Sequence, residues 1–197
     1  MRIQANPTIQ NIFNRRSIGR LQRPGPTEAE LITILQAGAA APDHKVTRPF
    51  WFVVFEGKAR EEFGQVLVES LLERNQKAGL ELPTDGQIQK EESKLLRAPL
   101  VIAVGALHNA DIVLPDQEII SAGAAAAQNM LITATSLGYG SMWRTGDVAY
   151  DPKVKRALGI EPQDFVIGFL YFGTVKDGLE PEPNEPEITS IVSVWEG

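Results

Sequence analysis

A crowd of small side chains inside the stretch Glu118 to Gly146 (EIISAGAAAAQNMLITATSLGYGSMWRTG) constrains this chain more than any other feature. Ser121, Ala122, Gly123 and Ala124 to Ala127 allow neighbouring backbone to approach closely, and Met130, Leu131, Ala134 and Leu137 continue at three- and four-residue steps. The spacing predicts a helix that is apolar nearly all round, and such a helix belongs in the middle of a domain. Gly138 and Gly140 permit the backbone conformations that end a helix, and Trp143 with Arg144 then reads as part of a short loop. A flat ring beside a fixed cation suits a planar, anionic ligand. Taken alone, the plainer reading of the pair is a core tryptophan and a solvated arginine, so other segments must decide between the two.

Length and composition narrow the choice. With 197 residues, 43% of them hydrophobic, the chain can bury a full core, and a single domain over 1–197 is the economical expectation. Cysteine is absent, which rules out a disulfide framework, thiolate metal sites and a cysteine nucleophile, and agrees with a reducing compartment. Any redox chemistry therefore needs a cofactor. The N-terminal MRIQANPTIQNIFNRRS lacks the apolar run of a signal peptide, and no stretch approaches the ~20 apolar residues of a membrane span, so a cytoplasmic protein is expected. The net charge of -6 disfavours nonspecific nucleic-acid binding, while a local arginine cluster remains able to hold a phosphate. A small molecule is the expected partner.

Along the chain, Pro7 and Thr8 open a short helix with Ile9, Ile12 and Phe13 on one face, followed at once by Asn14-Arg15-Arg16-Ser17-Ile18-Gly19-Arg20. The guanidinium forks and the Ser17 hydroxyl suit a phosphate or a ribityl chain, though a solvated basic turn is the alternative. Thr27 with Glu30 forms a capping box for a helix carrying Leu31, Ile34, Leu35 and Gly38. Residues Pro42 to Pro49 read as a loop, in which His44 stands among Asp43, Lys45 and Arg48. Phe50 to Phe55 reads as a buried central strand, and a helix follows from Ala59 to Lys77. Leu80 to Arg97 turns polar, with breakers at Pro83 and Gly86 and room for an amphipathic helix ending in Leu95 and Leu96, and reads as a mobile cover. Pro99 to Gly105 and Phe165 to Gly173 are two more strands, apolar on both faces, with Asp151-Pro152 opening a short helix between. A Pro- and Glu-rich arm ends in the apolar Ile188 to Trp195, so residues 177–197 are expected to pack on this subunit or its partner. Short helices between strands favour an α+β layer fold over a Rossmann sheet.

Several chemistries find no support. Gly138-Tyr139-Gly140-Ser141-Met142-Trp143 lacks the third glycine of a dinucleotide fingerprint and follows a helix instead of a strand. Two histidines without cysteine make a zinc site implausible, and no GxSxG elbow supports a serine hydrolase built on Ser17 or Ser141.

Asn14-Arg15-Arg16-Ser17, Ala41-Pro42-Asp43-His44-Lys45 before a Pro-aromatic strand, Ser121-Ala122-Gly123 opening a small-residue helix, Trp143-Arg144-Thr145-Gly146 and Gly168-Phe169-Leu170-Tyr171 occur in an order that resembles the nitroreductase family, its small YdjA-like branch above all. The resemblance spans most of the chain and is weakest over 80–97 and after Val175. It implies an α+β fold with a mainly antiparallel sheet flanked by helices in an intertwined homodimer. It also implies FMN at the subunit interface, NADH or NADPH as reductant, and nitroaromatics, quinones or similar acceptors. Carried over by position, Arg15, Arg16 and Ser17 would meet the phosphate and ribityl chain of FMN, and Ala40 and His44 would reach FMN from the partner subunit. Trp143, Arg144 and Thr145 would lie beside the isoalloxazine and phosphate, and Thr133, Ala134, Thr135, Ser136, Leu137 and Gly138 would meet the nicotinamide nucleotide. No side chain is needed as acid or base, since flavin N5 carries the hydride. Arg48 and Phe50 depart from the family pattern, and no Lys or Arg follows Lys176 to hold phosphate. A flavin storage or sensing module, and a dehalogenating or oxygenating flavin relative, remain the alternatives.

Overall fold

The computed structural model describes residues 6–176 and 186–196. Strands β1 (Leu21–Gln22), β2 (Phe50–Glu56), β3 (Leu100–Ala106), β4 (Gly140–Arg144) and β5 (Phe165–Val175) form one sheet in which every strand pairing is antiparallel. The helices are α1 (Pro7–Asn14), α2 (Glu28–Ala39), α3 (Ala59–Lys77), α4 (Asp85–Glu92), α5 (Asp116–Ser136), α6 (Asp147–Tyr150) and α7 (Pro152–Ala157). Strand β5 is the hub: it pairs with β3 from Leu100↔Phe172 to Ala106↔Phe165, with β4 from Gly140↔Gly173 to Arg144↔Phe169, and with β1 at Leu21↔Val175.

The strands are apolar on both faces because both faces are covered. On one side Leu100, Ile102, Val104, Leu170 and Phe172 pack against Ile34 of α2 and Met130, Leu131 and Ala134 of α5. On the other, Val101, Ala103, Phe169 and Tyr171 meet Phe63 and Leu67 of α3 and Val154 of α7. The alternation of β3 and β5 residues between the two cores follows from the two-residue period of a strand. Helix α5 does run through the middle: its Gly123 lies so close to the sheet that a Cβ there would stand 2.6 Å from Ile167 Cγ1 and 2.9 Å from Ala106 Cβ. It is not buried all round, since Ile120, Ser121 and Ser136 reach the surface.

Local signals set the element ends. Thr27 Oγ1 and the Glu30 carboxylate form the expected capping box of α2, with Thr27 N donating to Glu30 Oε2 at 2.8 Å. Asp151 caps α7 by accepting from Lys153 N at 2.7 Å. Gly138 sits at φ +85 just past α5, the left-handed position that ends a helix.

Two expectations change. Gly140 does not help end α5 and residues 140–144 are not a loop, because β5 offers a free edge that this segment completes as β4. Strand β2 is not central: among the described residues it pairs with β3 alone, and Trp51 is 43% exposed while Phe55 is buried. The short β1 carries no sequence signal. Residues 80–97 contain a helix opened by a Thr84–Gln87 capping box and a 3-10 turn, Lys94–Arg97, with Leu95 buried. Gly64 of α3 approaches the Glu92 carbonyl too closely to admit a Cβ, so this segment is seated on α3. The arm over 177–185 and Gly197 lie outside the described residues. Among the described residues no helix is long and apolar enough to cross a membrane.

His108, on the connection from β3 to α5, is fixed at both ring nitrogens: Nδ1 lies 3.0 Å from Asp164 Oδ1 and Nε2 lies 3.1 Å from Asp116 Oδ1. Burial opposes its charged form, but the hydrogen bonds to Asp164 and Asp116 outweigh that and raise it above its ordinary value. A raised folded pKa means that the pair stabilises the fold fully below the unfolded imidazole range and loses that contribution as pH rises through the folded value. Urea unfolding of the native protein and of His108→Gln should therefore differ most at pH 5.5 to 6 and converge by about pH 9, relative to an unfolded pKa of about 6.5. A gap between the two that is independent of pH would remove the titration from the account.

Candidate functional site

The basic segment after α1 and the Trp143 segment, 128 residues apart by number, are neighbours in space. Ser17 forms a parallel bridge with Ser141, and Ile18 N donates to Ser141 O at 2.8 Å. A Cβ on Gly19 would stand 3.4 Å from Arg144 Nη2. The two arginines behave differently. Arg16 donates through Nη1 to Phe13 O and Arg15 O, both at 2.7 Å, and so closes the carbonyl end of α1. Arg144 lies 5.8 Å over the Tyr171 ring and has no carboxylate partner among the described residues.

Strand geometry sends Trp143 and Arg144 to opposite faces of the sheet. The Trp143 indole packs with the α5 core and donates from Nε1 to Ile167 O at 3.1 Å. That acceptor is presented by a bulge: β3 Val104 pairs with Gly168 and Gly105 with Val166, which leaves Ile167 as the extra residue. Gly168 adopts φ +153, and a Cβ there would lie 2.7 Å from Trp143 Cδ1 and 2.8 Å from Arg144 O. Glycine is therefore required for β4 to sit where it does.

Arg144 faces a cavity of about 260 Å³ whose lining includes Lys94, Arg97, Met142, Trp143, Thr145 and Tyr171. Three cations thus converge in a chain of net charge -6. Lys94 is paired with the buried Glu91. Burial pushes the Tyr171 phenol up, against the pull of Arg144 and Arg97, so it stays a neutral O–H. Sequence reading missed Lys94 and Arg97, which stand in a polar stretch with no motif. Their one available signal was position: they immediately precede a buried strand, and so lie at a sheet end.

The expected nicotinamide residues close α5. Thr135 and Gly138 line a separate cavity of about 270 Å³ with Asn14, Arg16, Tyr139 and Ser141. Ala134 is fully buried in the core, and Leu137 packs against it. Thr135 Oγ1 donates to Leu131 O at 3.0 Å and Ser136 Oγ to Thr133 O at 2.8 Å, so the helix itself uses both hydroxyls.

Ala40 and His44 stand elsewhere. Ala40 is the exposed C-cap of α2, and His44 opens a turn lining a third cavity, of about 630 Å³, with Pro42, Pro115, Glu118, Ser121 and Ala125. This cavity shares no lining residue with that of Arg144. The turn is strained: Lys45, Val46 and Arg48 have φ of 56, 57 and 50, a region that β-branched valine rarely enters. Asp43 holds it, accepting from Arg48 N at 2.7 Å. Among the described residues no cluster of His, Asp and Glu is placed to hold a metal ion.

Replacing Gly168 by alanine should push Trp143 off the Ile167 carbonyl at a cost of about 1–3 kcal/mol, as expected for overpacking. The check is thermal unfolding with tryptophan emission in Gly168→Ala and in Gly168→Ala/Trp143→Phe. The first should unfold earlier and emit further to the red, and the second should recover part of the loss; unchanged emission in the single variant would show that the indole does not depend on the glycine.

Residues 12–174 match the profile of the nitroreductase family. The Escherichia coli K12 protein YdjA, provisionally named an NAD(P)H nitroreductase, is 36% identical over 187 residues, covering 95% of this chain and 98% of its own length. A Haemophilus influenzae Rd protein of the same provisional name is 27% identical, covering 87% of this chain and 90% of its own. Among solved structures, a nitroreductase-like family protein from Bacillus cereus superposes with a TM-score of 0.77 at 22% identity over 100% of both chains. The FMN-dependent nitroreductase NfnB from Mycobacterium smegmatis, in complex with NADPH, does so with a TM-score of 0.71 at 17% identity, covering 94% of this chain and 96% of its own. With residues 12–174 matching the family profile and a relative 36% identical over nearly all of both chains, the chain belongs to the nitroreductase family.

Proposed function

We propose that this protein is an FMN-dependent oxidoreductase that passes hydride from NADH or NADPH to nitroaromatic, quinone or similar acceptors, working as a cytoplasmic homodimer. The observation that carries the reading is the convergence of Arg144, Lys94 and Arg97 on one cavity beside the Arg15-Arg16-Ser17 segment. FMN is flat and anionic, and this donor set fits it. When bound, FMN supplies the two-electron chemistry, with hydride entering and leaving at N5.

The chain's own residues supply the rest. Arg144 and Lys94 place positive charge where a reduced, anionic ring would gain negative charge, and the neutral Tyr171 closes the floor of the cavity without adding a competing anion. Arg144 is the stronger candidate for holding phosphate or ring oxygens. Arg16 would first surrender hydrogen bonds to Phe13 O and Arg15 O, each worth about 1.5–3 kcal/mol for a charged donor. Ser17 and Thr145 add hydroxyls at the two ends of the bridged segments. Ala40 and His44 are assigned to the FMN of the partner subunit. Thr133 to Gly138 remain the proposed contacts of the nicotinamide nucleotide, through Thr135 and Gly138, since Ala134 is buried.

The dimer is supported by apolar surface that a single chain leaves uncovered. Ile191, Val194 and Trp195 of the tail are 76%, 78% and 91% exposed, and Ser121 and Ala125 of α5 line a cavity open at the surface. A second copy could cover both.

The purified protein should carry FMN noncovalently and oxidise NADH or NADPH when a nitroaromatic or quinone is supplied. Arg144→Ala should weaken FMN by about tenfold to a hundredfold, the loss of a charged hydrogen bond, with unfolding unchanged. Protein that is colourless and does not quench FMN fluorescence refutes the reading; yellow protein with no NAD(P)H oxidation makes it a storage or sensing module instead. If the flavin pocket is completed by the partner, assembly and FMN binding are linked, each favouring the other. Removing residues 178–197 should then lower dimer content and FMN affinity together, read by sedimentation and by FMN titration; a truncated monomer binding FMN as tightly as the full chain breaks that link.

A further inference from the structure

The His44 turn is held from two sides. Within the turn, the Asp43 carboxylate accepts from Arg48 N, and three non-glycine residues are kept at positive φ. From outside, Glu118 in the first turn of α5 brings Oε2 to 2.8 Å from His44 Nδ1. That oxygen is enclosed and accepts no hydrogen bond among the described residues, and His44 Nδ1 is the ring nitrogen that stands within reach of it. Nε2 of His44 has no hydrogen-bond partner among the described residues. A carboxylate at the N-terminal turn of a helix is also on the side that the helix dipole favours. Nothing in the packing of His44 requires this contact, since both the side chain of His44 and that of Glu118 keep substantial exposure, 51% and 36%. The pairing therefore has an orienting consequence more than a stabilising one.

We propose that Glu118 is a positioning residue for His44. It takes the proton side of the ring at Nδ1, so that the neutral imidazole carries its proton there and Nε2 is left as an acceptor for an N–H of the bound ligand. The hydrogen bond at one ring nitrogen fixes what the other can do. This rests on the reading that His44 meets FMN in the assembled dimer. The oxidised isoalloxazine has one ring N–H, and an acceptor is what would meet it.

The test uses full-length protein labelled with ¹⁵N-histidine. The chain has two histidines, so His44→Ala identifies the signals of His44 and leaves those of His108 as an internal reference. Long-range ¹H–¹⁵N correlation without FMN at pH 8.5, about two units above the ordinary imidazole pKa, should show His44 protonated at Nδ1. Glu118→Ala should move the proton to Nε2, whereas Glu118→Gln, whose side-chain oxygen still accepts, should keep it at Nδ1. The His108 signals should not change in either variant. In FMN titration, Glu118→Ala should weaken binding about tenfold and Glu118→Gln should stay near the native value, as for the loss and retention of one hydrogen bond. An unchanged His44 tautomer in Glu118→Ala overturns the proposal. So does a changed tautomer with native FMN affinity, provided that His44→Ala itself weakens FMN. If His44→Ala leaves FMN binding untouched, the assignment of His44 to the flavin is what fails, and the tautomer result then describes a pair with no part in binding.

Discussion

Strand β5 carries neighbours on both edges, and the arrangement of the site depends on that pairing. Its eleven residues are long enough to pair with β3 over most of their length and still offer an opposite edge to β4 and, at the far end, to β1. The bulge at Ile167 and the glycine at 168 make the second edge usable, because one provides the carbonyl that anchors the Trp143 indole and the other the space that the indole occupies. Once β4 is fixed, alternation along it decides the rest. Trp143 is driven into the α5 core and Arg144 is turned to the other face, above Tyr171. Trp143 thus anchors β4 through its indole N–H and still lines the cavity that Arg144 faces.

Electrostatics then separates the cavities by what each can hold. The Arg144 cavity gathers three cations in an acidic chain, one of them tied to Glu91 and two with no carboxylate partner among the described residues. At an effective dielectric near a protein surface, opposite unit charges at contact distance attract by about 4 kcal/mol, so an anionic ligand is favoured in this cavity. The His44 cavity is larger, has no lysine or arginine in its lining, and encloses a Glu118 oxygen that accepts no hydrogen bond among the described residues. Small residues from α5 form its wall. It is a surface suited to meeting another chain, with one ring nitrogen left over.

Backbone strain is concentrated in the same place. Lys45, Val46 and Arg48 at positive φ each forgo a favourable region, and sites of that kind persist only when surrounding contacts over-determine them. Asp43 supplies one such contact and Glu118 another. The departure of Arg48 from the pattern of the family is accounted for in part by its backbone, whose N–H is the one that Asp43 caps; nothing in the structure explains Phe50, which sits half-buried on an edge strand and stacks on Phe52.

Where local chemistry decides the outcome, the sequence was enough. The Thr27–Glu30 box, the Asp151-Pro152 cap, the Gly138 stop and the two-sided apolar runs of β3 and β5 each act within a few residues, and each was legible. The family was legible for a different reason, since several short motifs in a fixed order constrain one another. Tertiary structure alone decided the matters of pairing and proximity. Gly140–Arg144 is a strand because β5 has an open edge, β2 is an edge strand because nothing among the described residues pairs beyond it, and residues 80–97 pack because Gly64 admits the Glu92 backbone. Lys94 and Arg97 join Arg144, and Glu118 meets His44, only after the chain has folded back over dozens of residues. Side chains of such separation leave no periodicity or local preference in the sequence, because the free energy that brings them together belongs to the core between them.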